Sequence, residues 1–372
     1  MEHKRFYHID FLRFILCVAI ILRHFSNIMV SKVSPDILAF QNYKDSFLLG
    51  NISVDFFFII SGFFWSLNKD KNGNLLKFAV NKIIRLLPVI AFGMLIFLLF
   101  SMFGVVKFRT SYNIESLFLL HGLGITHCNN DQGLGNLHPT WYVSTLFWVL
   151  LFFQYIYNNF NKKAVNLFIA IAIILGYGLI TQEQNGALGG KIAVTYYGIF
   201  NIGILRGISG IGIGYFIANI YQEAKAKGGF TITNSNYKII LSLIQISCLC
   251  TILYSLFVMN YFRKNDVFFI LLFCIVFINF IFSNDYISQI LNNKYLGCLG
   301  TYSYSIYVMH AFILDVFKNN VFTKRHLSYL NSNNNAEILF WLSVLACILI
   351  GILTYHLVEK TTYKKLKTEL NK

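Results

Sequence analysis

Four polar side chains interrupt the apolar run Ile9–Phe25: Asp10 and Arg13 near its start, Arg23 and His24 near its end. An ionisable group in hydrocarbon costs at least ~2.5 kcal/mol, so such residues are rare there and usually serve a function. Arg13 and His24 stand eleven residues apart. On a helix that is about three turns plus roughly 20°, so the two share a face some ~16 Å apart along the axis. Asp10, three residues before Arg13, is its neighbour on that face. The stripe therefore carries an acid–base pair at one depth and an imidazole at another. With an ordinary pKa of ~6.5, an imidazole can take a proton from a hydroxyl near neutral pH. The plainer alternative is an interfacial anchor at Asp10 and Arg13, with His24 capping the helix end.

Other apolar stretches carry groups of the same kind. Asp55 lies in the run Ser53–Trp65, where Ser61-Gly62 opens a notch for close packing. It can support an imidazole or pair with a buried cation, Arg23 being one candidate. Lys82 and Arg85, three apart, put two cations on one helix face, fit either for phosphates or for anchoring at a membrane edge. Trp141 and Tyr142 open an aromatic stretch, and Thr301–His310 sets hydroxyls, Ser305 among them, at helical spacing before another histidine. The loop 107–140 holds His121, His127, Cys128, Asp131 and His138, but their spacing matches no zinc pattern, so no metal is expected.

The elements that must position these groups can be read from composition. The 372 residues are 56% hydrophobic and 13% charged, against about 25% charged in ordinary soluble domains. A bilayer crossing needs about 20 apolar residues. That rule predicts about ten spans, at 9–30, 47–67, 84–106, 141–158, 165–181, 202–221, 238–259, 266–283, 298–317 and 337–357. The expected fold class is an all-α polytopic membrane protein, with one transmembrane domain over 1–358 and a short basic cytoplasmic tail over 359–372. Lys and Arg concentrate in 1–8, 68–83, 159–164, 222–237, 284–297 and 358–372, which puts both termini in the cytoplasm. The net charge of +15 thus reads as topology, and no nucleic-acid partner is expected. The basic start Met1–Arg5 precedes an apolar run with no small-x-small cleavage site, so a retained first span is expected. Six of the seven cysteines lie in or beside apolar runs, which is no disulfide framework. The spacings Gly203/Gly207 and Gly210/Gly214 point to tight helix packing in the sixth span.

Taken together, these motifs resemble acyltransferase family 3, the membrane O-acyltransferases of surface polysaccharides. The family's basic residue–ten residues–histidine signature matches Arg13 and His24, and its Asp-x-x-Arg opening matches Asp10 and Arg13. Val54–Phe63, the basic pair Lys82 and Arg85 with Pro88, Trp141–Ser144 and Ser303–His310 match the later motifs. One departure matters: Thr145-Leu146-Phe147 stands where many members carry two glutamates, so Asp55 or Asp10 would have to supply any carboxylate the reaction needs. The resemblance implies acetyl-coenzyme A as cytoplasmic donor and no permanently bound cofactor. It implies a glycan or lipid-linked glycan as acceptor, in the inner (cytoplasmic) membrane, with a separate extracytoplasmic partner protein conceivable. On it, Lys82, Arg85 and Arg13 hold the donor, and His24 is base or acyl-carrying nucleophile. Trp141, Tyr142, Ser305 and His310 then meet the acceptor. The rival class is a transporter or flippase using the intramembrane Asp, Arg and His as a relay.

Overall fold

Away from water every peptide group must find its partner within the chain, and a helix meets that demand segment by segment. The computed structural model describes residues 5–32, 47–70, 73–108, 115–123, 137–188, 195–196, 200–229, 234–258, 265–282, 285–318 and 333–370. The longer helices are α1 (Tyr7–Lys32), α2 (Ser53–Leu67), α3 (Leu75–Met102), α4 (Trp141–Asn159), α5 (Lys162–Glu183), α6 (Ile202–Ala226), α7 (Ser235–Val258) and α8 (Asp266–Phe282). Two short ones, α9 (Tyr286–Leu291) and α10 (Lys294–Leu299), precede α11 (Ser303–Val316). The last are α12 (Asn333–Thr354) and α13 (Lys360–Leu370), joined by a π-helical turn over Tyr355–Glu359. A two-residue antiparallel pair, Thr195–Tyr196 with Phe200–Asn201, precedes α6.

Local chemistry sets several starts. The side chains of Asn74, Asn161 and Asn201 each accept from the backbone N–H three residues on, capping α3, α5 and α6. The Asn74 cap starts α3 at Leu75, well before the expected 84, so Lys82 and Arg85 lie inside the helix. The expected run 298–317 is divided, because a 3-10 turn over Gly300–Tyr302 separates α10 from α11.

Among the described residues, five helical stretches are long and apolar enough to cross a bilayer: Leu75–Met102, Lys162–Glu183, Ile202–Ala226, Ser235–Ser255 and Glu337–Leu370. The chain is a helical membrane protein. Two apolar helices, α2 and α8, are shorter. Helix α1 has the length but carries Asp10, Arg13 and Arg23, and α11 has only 14 residues. The division is physical. α5, α7 and α12 present rows of exposed Leu and Ile, while α1, α2 and α11 are mostly buried.

Among the described residues α2 and α6 make the most extensive helix contact, and glycine makes it possible. A Cβ on Gly62 would overlap the Ile211 carbonyl oxygen, and one on Gly214 would overlap that of Ile59. Small residues let backbones meet directly, as the glycine spacing predicts. On the other side of α2, Phe56 stacks on Phe273 of α8 at 4.0 Å. α1 lies against α10, α11 and α2, and α11 is flanked by α12 and α3.

Candidate active site

The N-terminal half of α1, the first turns of α3 and one face each of α2, α4 and α11 wall a cavity of about 920 Å³, with the α12–α13 junction closing its side. Six cationic side chains line it: Arg5, Arg13, Lys82, Arg85, Lys360 and Lys364. Two carboxylates, Asp10 and Glu359, lie among them. Asp10 accepts from Arg5 Nε at 2.8 Å and faces Arg13 Nη1 at 3.6 Å. Exposure falls with depth, from Arg5 at 49% of its side chain through Arg13 at 24% to a buried Tyr142 and Tyr307.

Backbone features aim these groups. A Cβ on Gly300 would overlap the Asp10 carbonyl, so glycine there lets the turn before α11 lie directly on α1. In α3, Pro88 has no N–H to give the carbonyl four residues back, loosening the helix just beyond Arg85. The π turn adds one residue to the last helix, which rotates α13 by about 100° relative to an unbroken helix. Glu359, at the end of that turn, accepts from Ser305 Oγ at 2.6 Å.

At its inner end the cavity meets an aromatic layer. Tyr142 and Tyr307 stand edge to face at 5.7 Å, and the Tyr142 hydroxyl lies 3.3 Å from Ser61 Oγ. The Tyr307 hydroxyl donates to the Pro139 carbonyl. Behind this layer come two imidazoles. The His310 ring lies 5.6 Å from that of Tyr307, and the His24 ring lies 5.3 Å from His310. His310 Nδ1 meets the Tyr307 carbonyl, which can only accept. That puts the proton on Nδ1 and the lone pair of the neutral ring on Nε2.

These positions revise several expectations. Arg13, Lys82, Arg85 and Tyr142 share the cavity wall, but His24 does not line it and stands beside His310 beyond the tyrosines. Asp55 does not serve His24. Its carboxylate pairs with Arg206 at 2.6 Å, accepts from Tyr177 Oη at 3.4 Å, and is wholly buried. Arg206 also donates to the Asn51 carbonyl at 2.6 Å, and Trp141 covers its guanidinium at 5.3 Å. Trp141 thus packs on this pair. Ser305 holds Glu359 at the cationic end, away from the imidazoles. Asp10 is engaged by Arg5 and Arg13, about four turns from His24. Of the loop 107–140, His127, Cys128 and Asp131 lie outside the described residues.

A family model described as an acyltransferase domain matches residues 6–356, nearly the whole chain. The chain belongs to acyltransferase family 3. No curated protein and no solved structure matches it. A membrane acyltransferase must admit a donor and keep water from the reacting bond, and a cation-lined cavity ending at a tyrosine layer has that form. Arg5, Glu359, Lys360 and Lys364 are members of this acyltransferase's cavity that sequence reasoning passes over. Glu359 closes a long apolar run, which is a usable signal. The lysines after it read as a solvated tail, whereas the helix runs on through them without a break.

Proposed function

We propose that this acyltransferase moves an acyl group, acetyl in the first instance, from acyl-coenzyme A to a hydroxyl of a cell-surface polysaccharide or its lipid-linked precursor. The observation that carries the reading is the cavity's charge, six cations against two carboxylates around a wet entrance. Guanidinium and ammonium groups bind phosphate oxygens through charge-assisted hydrogen bonds, and coenzyme A presents a diphosphate and a phosphomonoester together. Arg13, Lys82 and Arg85 hold the diphosphate. The pantetheine arm runs inward over the ~16 Å that separates Arg13 from His24 on one helix. For it to reach the imidazoles, the Tyr142 and Tyr307 rings, in edge-to-face contact, must part.

At the far end the acceptor oxygen attacks the thioester carbonyl and the C–S bond breaks. His24 takes the hydroxyl proton as the oxygen attacks and gives that same proton to the departing thiolate, so the imidazole ends neutral, with the His310 ring beside it. The acceptor enters from the opposite face of the membrane. This reading has ten crossings, α1 to α8 with α11 and α12, and both termini in the cytoplasm of the inner membrane. The basic inner segments support it, and so does the agreement of those ten helices with the ten apolar runs. Tail residues 359–372 lie on the inner side.

Proteoliposomes given acetyl-labelled acetyl-coenzyme A and extracted surface glycan test the proposal. Label passing to glycan is expected. Glycan or lipid-linked sugar crossing the membrane with no donor consumed would overturn it in favour of transport.

A further inference from the structure

The face of α13 turned to the cavity repeats Lys360, Tyr363 and Lys364, spaced i, i+3, i+4, with Tyr355 from the π turn beside them. Both lysines are exposed, at the mouth, while Arg13 lies deeper. The family match ends at His356, before any of the three. The cations thus form two tiers on different helices: Arg13, Lys82 and Arg85 on α1 and α3, and Lys360 and Lys364 on α13. A ligand with a single phosphate group needs one tier. Charge makes the same point, since the six cations outnumber the two carboxylates by four. A diphosphate brings about two negative charges, and a phosphomonoester a further ~1.5 to 2 at neutral pH. Aromatic rings between two ammonium groups suit a purine, which stacks on the face of a tyrosine.

We propose that α13 is a nucleotide-reading helix, in which Lys360 and Lys364 bind the terminal phosphomonoester of the donor's nucleotide and Tyr363 stacks on its base. The inference rests on the acyl-coenzyme A reading and adds to it a basis for donor selection: a donor lacking the 3′-phosphate is discriminated against at the mouth. Glu359 serves as the fixed end of this face. Its hydrogen bond to Ser305 ties the π turn to α11, so the three side chains are held over the entrance.

The test compares acetyl-coenzyme A, its 3′-dephospho form and acetyl-pantetheine as donors for purified protein in zwitterionic nanodiscs. Wild-type kcat/KM should favour acetyl-coenzyme A over the dephospho donor by about tenfold or more, the worth of one or two exposed charge-assisted bonds. Lys360→Gln with Lys364→Gln should bring that ratio near one and leave acetyl-pantetheine turnover unchanged, which also shows that the variant is folded. Tyr363→Ala should lower both nucleotide donors together, and Tyr363→Phe should restore them. An unchanged ratio in the double variant overturns the inference alone. Equal loss for all three donors also overturns it, and marks α13 as a bilayer anchor. Wild-type protein that turns over none of the donors overturns the acyl-coenzyme A reading itself.

Discussion

Among the described residues two carboxylates, Asp55 and Asp10, pair with guanidinium groups, and their settings are opposite. Asp55 and Arg206 are 0% and 4% exposed and meet at 2.6 Å, with Tyr177, the Asn51 carbonyl and the Trp141 ring completing the shell. Asp10 and Arg13 are 14% and 24% exposed and stand 3.6 Å apart on the wall of a cavity. A dry pair holds its charges only while every lone pair and proton is matched, so it fixes helices and has nothing left for a ligand. A loose pair at a wet wall can exchange its partner for a phosphate without stranding a charge. On this contrast we propose that Asp55 and Arg206 serve the scaffold, linking α2 to α6, and that Asp10 and Arg13 serve binding.

The sharpest way to break that division is at the dry pair. Arg206→Ala leaves a buried carboxylate without its cation, a loss of about 3–5 kcal/mol in measured cases. Little folded protein should reach the membrane, as detergent-extracted yield and thermal unfolding would report. Normal yield with lost activity would instead make Asp55 part of the chemistry. Next comes His24→Ala. Removing a proton-transfer group costs about 10²–10⁴-fold, so acyl transfer should fall that far while yield and unfolding temperature stay as in wild type. Activity retained in that variant would exclude the imidazole from the mechanism.

A smaller effect belongs to the tyrosine layer. Tyr307→Phe deletes the hydroxyl bonded to the Pro139 carbonyl, a bond worth about 1 kcal/mol. The expected change is a severalfold drop in kcat with donor KM unaltered. A shift in donor KM instead would place Tyr307 in the nucleotide site. Least of all, Asp10→Asn should leave folding intact and move donor KM by a few-fold at most, since partly exposed ion pairs contribute about 0–1 kcal/mol. If it collapsed the fold as Arg206→Ala does, the contrast between the two pairs would be wrong.

The features legible from the residues are those set by helical period and local chemistry. Arg13, Lys82 and Arg85 line one cavity, and each lies within a turn or two of an apolar boundary, where spacing alone says which face is shared. That α6 packs tightly is legible from Gly210 and Gly214 for the same reason, though not that its partner is α2. Pairings across the bundle are not. Asp55 and Arg206 lie 151 residues apart, and nothing in either helix's own pattern prefers Arg206 to Arg23 as the partner. His24 shares a stripe with Arg13, yet two tyrosines from α4 and α11 stand between the cavity and its ring, a barrier supplied by other helices. The C-terminal stretch escapes the pattern because a π turn leaves no trace in an apolar run. Its extra residue is what joins Glu359 and the lysines of α13 to the site.

Equilibrium binding of acetyl-coenzyme A to purified protein tests the central claim most directly. Titration calorimetry should compare wild type with Arg13→Ala plus Arg85→Ala, alongside the unfolding temperature of each. The account predicts a donor dissociation constant raised at least about tenfold by losing two phosphate-binding cations, with the unfolding temperature unchanged. Equal affinity in both proteins would contradict it, because the cavity's cations would then have no part in holding the donor.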